Sequence, residues 1–170
     1  MKSRPKVDGM SQNILLVCTG NTCRSPMAEG LARRILSDIT MKKRGSESTW
    51  KVESAGVACF GASPPTTEAV RALQKYGIDI SNHRSRALTK DMVDKASVIY
   101  AMAQHHVDAI LEFEPGADQK TQLLDPDGND IADPIGMGQD FYDKTAKMLE
   151  KLLKMRLNEL MGVKPAKGAS

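Results

Sequence analysis

The sequence predicts an α/β fold of three layers, a four-stranded parallel sheet with helices on both faces. Three observations predict it. Short apolar runs alternate with stretches of helical periodicity, which is the pattern of a parallel sheet covered on both sides. The first apolar run, Asn13-Ile14-Leu15-Leu16-Val17, leads into a glycine-bearing loop and then a helix, as a βα unit should. The 170 residues, 41% of them hydrophobic, suffice for one domain with a proper core.

The elements follow in order. A loose lead-in over residues 1–11 precedes a strand at 13–17. The helix expected from Pro26 to Ile39 carries Met27, Leu31, Ile35 and Ile39 at helical spacing. Lys42 to Thr49 is polar and reads as an exposed connection, with Lys42-Lys43-Arg44 as a solvated turn. Trp50 to Ser54 is the second strand, and Trp50 and the methionines are expected in the core. After the turn Phe60 to Pro65 comes a helix over 66–76, with Thr66 or Thr67 near its cap and Gly77 at its end. Thr89 opens a short helix through Lys95. Ser97–Ala101 is the third strand, Gln104–Phe113 a helix, and Thr121–Leu124 the fourth strand. The acidic segment Asp125–Gly138 is a loop. Gln139–Met161 is a long amphipathic helix with Phe141, Leu149, Leu152, Leu153 and Leu160 as candidate core residues. The domain thus spans 12–161, and residues 162–170 form a disordered tail.

Chemistry concentrates in Cys18 to Ser25, which reads CTGNTCRS. In a parallel sheet the ligand sits beyond the carboxyl ends of the strands, where this loop lies. A helix N-terminus offers unpaired N–H groups and partial positive charge, so it attracts phosphate. Gly20 frees the backbone for the φ > 0 geometry of a curled loop, and Asn21 tolerates the same geometry. Arg24 can present two parallel N–H donors to phosphate oxygens. Pro26 suits the first helical position. The same field should lower the Cys18 thiol below its usual range, and Ser25 can donate to the sulfur. Thr19, Gly20, Asn21, Thr22, Cys23 and Ser25 would cradle the phosphate that Cys18 attacks.

A leaving group needs a proton, and a positioned carboxylic acid can supply it. The 125–138 loop holds Asp125-Pro126 and Asp133-Pro134, with Asp127 and Asp130 as further candidates. Residue chemistry leaves Asp125 and Asp133 both open, with proximity to the last helix favouring Asp133.

Composition narrows the rest. A net charge of +3 and 4% aromatics give no basis for nucleic-acid binding. No apolar run approaches the ~18 residues of a membrane span. The basic start MKSRPKVDGM is followed only by Ile14–Val17, too short for a signal-peptide core, so the cytoplasm is expected. Three cysteines, two in one loop, do not form a disulfide framework. His83, His105 and His106 lack zinc-type spacing and are expected in surface or capping roles. No metal and no cofactor is expected.

These motifs carry a resemblance. Over about residues 13–158 the chain resembles the low-molecular-weight protein-tyrosine phosphatases. Val17–Gly30 is similar to the family's phosphate loop, Val52–Val57 to its second strand, Gly77–Thr89 to the segment after its second helix, and Asp133–Leu153 to its acid loop and last helix. The resemblance implies that Cys18 is the nucleophile, Arg24 the phosphate clamp and Asp133 the general acid. It implies a phosphocysteine intermediate, phosphorylated protein substrates and a monomer. Within the family the loop is similar to the protein-arginine phosphatase branch, which carries threonine where this chain has Thr22. Tyrosine phosphatases usually carry a larger aliphatic residue there, and aromatics after the Asp-Pro pair, where this chain has Ile135-Gly136-Met137. Phosphoarginine is therefore the expected substrate, with phosphotyrosine the alternative. Thioredoxin-coupled arsenate reductases share this fold but need a later cysteine pair. Only Cys59 lies outside the loop, which argues against a reductase cycle. A Cys18–Cys23 disulfide would block the nucleophile reversibly.

Overall fold

A computed structural model describes residues 12–43 and 49–164. The lead-in 1–11, part of the polar connection and residues 165–170 lie outside the described residues. The elements are β1 (Gln12–Cys18), α1 (Arg24–Lys42), β2 (Trp50–Gly56), α2 (Thr67–Gln74), α3 (Lys90–Lys95), β3 (Val98–Ala101), α4 (Gln104–Phe113), β4 (Thr121–Leu123) and α5 (Gln139–Leu160). The sheet is four-stranded in the order β2-β1-β3-β4, and every pairing is parallel.

β1 is buried on both faces because its side chains alternate between two cores. Ile14 and Leu16 join the larger core under α1, α2 and α5, which also takes Met27, Leu31, Ile35, Leu149 and Leu153. Leu15 and Val17 point the other way, towards Val93 and Ile110 of α3 and α4. β1 also has β2 on one side and β3 on the other, so the connections on either side of it diverge. That divergence opens the ligand crevice at the carboxyl end of β1.

Several expectations shift. α1 begins at Arg24, with Cys23 as its cap, so Pro26 is the third helical residue and not the first. It is still within the first four, whose N–H groups have no intrahelical acceptor. Thr66 and Thr89 cap α2 and α3, accepting from Ala69 N and Met92 N. A 3₁₀ turn over Pro115–Lys120 was not anticipated. In α5 the core stripe is Tyr142, Ala146, Leu149, Leu153 and Leu157, and Phe141 sits only half-buried. The helix starts after Gly138, and that phase puts Tyr142, seven residues before Leu149, on the inner face. Gly162, at φ 65°, ends α5 with Val163 N–H donating to Asn158 O and Gly162 N–H to Glu159 O, so residues 162–164 are a closed helix end. Met27 and Met102 are fully buried, but Met41, Met137, Met148 and Met155 are exposed. Met41, Met148 and Met155 fall on outward-facing helical positions and Met137 in the loop before α5, so place in the fold, not residue type, decides their exposure. Trp50 packs partly buried against the larger core.

Candidate active site

The loop from Cys18 to Ser25 curls at the carboxyl end of β1 and enters α1. The one described non-glycine residue with positive φ is Asn21, at 58°. Gly20 was expected to take this role and does not. Asn21 tolerates the geometry because its amide is held on all sides. Nδ2 donates to Ser25 Oγ at 2.8 Å and to Ser54 Oγ at 2.9 Å, and Oδ1 accepts from Arg86 N at 2.9 Å. Its own carbonyl meets His83 Nε2 at 3.0 Å. β2 presses on the loop from below. A Cβ at Gly56 would lie 2.4 Å from Thr19 O, so only glycine fits there.

Cys18 Sγ lies 2.9 Å from Ser25 Oγ and accepts from Asn21 N at 3.3 Å. Burial pushes the Cys18 thiol up, against the pull of the Ser25 hydroxyl and N–H, the Asn21 N–H and the Arg24 charge. The sequence led us to expect a net lowering. Desolvation outweighs it because Cys18 is only 3% exposed at its strand end.

Arg24 is buried at the start of α1. Its Nη1 donates to Ile131 O at 2.8 Å. Its Nη2 lies 3.5 Å from Thr19 Oγ1 and 3.5 Å from Asp133 Oδ2. A guanidinium has five N–H donors, so these contacts leave others for an anion. Asp133, half exposed, is thus the carboxylate brought to the Cys18–Ser25 loop. Its Oδ1 accepts from Ile135 N at 3.2 Å. Asp125 instead closes its own turn, accepting from Asp127 N and Asn129 Nδ2, and Asp130 accepts from Gln104 N at the start of α4. The residue that the sequence left open against Asp125 is separated from it here by geometry.

The second layer was not legible. Ser54 Oγ bridges Asn21 to buried Glu29, whose other oxygen pairs with Arg33 at 2.5 Å. His83 Nδ1 lies 3.9 Å from the same Glu29. His106 is fully buried and holds Thr19 Oγ1 at 2.8 Å. His83 and His106 therefore brace the loop and are not surface or capping residues, although His105 is exposed. They were misread because each braces a loop residue 62 or 87 positions away.

Burial, then the neighbouring His105 and Arg24 charges, push His106 down to about 4, and burial also lowers His83. An unfolded imidazole titrates near ~6.5. The unfolded chain therefore binds more protons between those values, and stability falls as the pH drops through that window. Urea unfolding should show this slope below about pH 6.5, and His106→Asn should flatten it. An unchanged slope in the variant would assign the effect elsewhere.

Cys18, Cys23 and Cys59 are free thiols. Cys23 Sγ faces Tyr142 OH at 3.2 Å and Thr66 Oγ1 at 3.7 Å, so a Cys18–Cys23 bridge would have to break these contacts. Thr22 is half-buried in the loop, with its carbonyl accepting from Thr66 N. Ile135 and Met137, after Asp133, are exposed.

Comparison with known proteins agrees with this geometry. The pattern of the family "Low molecular weight phosphotyrosine protein phosphatase" matches residues 13–164. A protein-arginine-phosphatase of Geobacillus stearothermophilus is 38% identical over 148 residues, 85% of this chain and 93% of its own. The low molecular weight protein-tyrosine-phosphatase Etp of Escherichia coli K12 is 32% identical, over 82% of this chain and 88% of its own. The solved YwlE arginine phosphatase from Geobacillus stearothermophilus superposes with a TM-score of 0.77 at 35% identity, covering 89% of this chain and 94% of that one. Among the described residues no helix is long and apolar enough to cross a membrane. A thiol, an arginine and an aspartate converge on one loop in a fold these enzymes share, and the chain belongs to the low-molecular-weight phosphotyrosine protein phosphatase family.

Proposed function

We propose that the chain hydrolyses phosphoarginine in proteins, with Cys18 as nucleophile, Arg24 as clamp and Asp133 as acid. The observation that carries the mechanism is the convergence of Arg24 on Asp133 beside the Cys18 loop. The Cys18 thiol passes its proton to an oxygen of the bound phosphoryl group as its sulfur attacks phosphorus, and the phosphorus–nitrogen bond breaks with its electron pair leaving on nitrogen as a phosphocysteine forms. Arg24 and the loop N–H groups take the charge on the equatorial oxygens. Asp133 holds the leaving group and gives its proton to the departing nitrogen, or to the oxygen of an ester, as that bond breaks. It then takes a proton from water as that water attacks phosphorus, releasing phosphate and regenerating the thiolate. Thr19, Gly20, Asn21, Thr22, Cys23 and Ser25 form the cradle, with Asn21 and Ser25 supporting the thiolate.

Phosphoarginine rests on Thr22 and on the absence of an aromatic after Asp133-Pro134. Ile135 and Met137 offer no ring face for a phenyl group to stack on, and Thr22 supplies a hydroxyl at the loop where a guanidinium needs acceptors. The arginine-phosphatase relative at 38% identity supports the same reading. Phosphotyrosine is the second reading, favoured by the tyrosine-phosphatase relative at 32% identity. We place the enzyme in the cytoplasm, acting as a monomer over residues 12–161. Turnover of phosphoarginine and phosphotyrosine peptides by the purified protein, with Thr22→Ile alongside, tests the choice. We expect the parent to prefer phosphoarginine and Thr22→Ile to shift the ratio of kcat/KM at least about tenfold towards phosphotyrosine. An unmoved ratio removes Thr22 from substrate selection.

A further inference from the structure

Away from Cys18 and Arg24, a cleft of about 660 Å³ opens between α1 and the segment 77–86. Its floor is apolar, from Pro26, Ile78 and Ile80, and its walls carry Arg33, Arg34, Arg84 and Arg86. Two carboxylates, Glu29 and Asp79, also line it, leaving four positive charges against two negative ones. Neither carboxylate serves the outer arginines. Glu29 is engaged by Arg33 and Ser54, and Asp79 accepts from Ser81 N at 2.8 Å. Arg34 donates weakly to Gly77 O at 3.4 Å, and Arg84 uses one nitrogen, Nη1, to donate to Ser81 O at 3.0 Å and His83 O at 2.7 Å, which leaves its Nη2 edge for an anion. Among the described residues no carboxylate comes within ion-pair distance of Arg34, Arg84 or Arg86.

Like charges gathered in a concavity repel one another and focus a positive potential on whatever enters. Guanidinium forks match phosphate oxygens two at a time. Several forks around a cleft of small-molecule size suit a ligand with more than one phosphate group. We propose that this cleft is a second anion site, distinct from the catalytic loop, for a polyanion of the di- or triphosphate class. It also has a path to the catalytic loop, because Arg33 is joined through Glu29 and Ser54 to Asn21.

Calorimetric titration of tripolyphosphate into the full chain tests the site, with vanadate saturating the catalytic loop so that binding there is excluded. One equivalent should bind. The double variant Arg34→Gln/Arg84→Gln should bind at least about tenfold more weakly, because charge-assisted hydrogen bonds are lost. That variant should turn over a small aryl phosphate as the parent does, which also shows that it folds. Three outcomes would overturn the proposal: no binding with the loop filled, equal binding in the variant, or equal loss of binding in both proteins at physiological salt. The readout is binding, so it stands or falls independently of which phosphorylated residue the catalytic loop accepts.

Discussion

Replacing Cys18 by serine is expected to lower kcat by on the order of 10⁴–10⁶-fold, with phosphate or vanadate still bound. The substitution keeps a side chain of similar shape beside Ser25 Oγ and Asn21 N, so the loop retains its hydrogen bonds. What it removes is the soft nucleophile, because an alcohol ionises far less readily than a thiol in the same buried position. Arg24 is anchored to Ile131 O and not to Cys18, so the clamp survives. Single-turnover kinetics together with vanadate affinity separate the two effects. Turnover within about tenfold of the parent would remove Cys18 from the covalent step.

The next largest effect belongs to Asp133. Asp133→Asn should lower kcat by about 10²–10⁴-fold on substrates whose leaving group needs a proton, and far less on an activated aryl phosphate whose phenolate leaves unaided. Asp125→Asn should change little in either case, because Asp125 only ties its own turn together. The leaving-group dependence is the diagnostic part. Loss of Asp133 also removes the partner 3.5 Å from Arg24, and a purely electrostatic effect on Arg24 would act on every substrate alike. A uniform drop across leaving groups would therefore make Asp133 a positioning residue for Arg24.

How much of this was legible in the sequence follows from contact distance along the chain. β1, the loop and the start of α1 are contiguous, so their apolar run, loop chemistry and helical spacing sit in one window. The four strands and five helices were also legible, because each carries its own periodicity. The 3₁₀ turn Pro115–Lys120 was missed because its six residues have none. Tyr142 displaced Phe141 from the core because neighbouring positions differ only in helical phase, which the preceding loop sets. The bracing of the site was hidden for a different reason. Ser54, Arg86 and His106 reach the loop across 33, 65 and 87 residues, and no local pattern encodes such a meeting. The thiol was misjudged because its burial depends on the packing of the whole sheet.

Asn21 has a consequence for how such an enzyme can change. Its side chain and carbonyl are fixed by Ser25, Ser54, Arg86 and His83, all on the protein side of the loop. Thr22, the next residue along, has its hydroxyl 3.7 Å from Cys23 Sγ and, among the described residues, bonds none of the four residues that hold Asn21. On the proposed reading, the backbone that holds the nucleophile and the side chain that would meet the substrate are thus adjacent in sequence and held by different partners. On that reading a lineage could exchange the residue at 22 and sample new phosphorylated side chains without rebuilding the reactive centre. The reverse is harder, because altering the centre would demand coordinated change in two distant segments, at Ser54 of β2 and at His83 and Arg86. On that reading substrate choice in this scaffold changes through one residue, while the chemistry is tied to several.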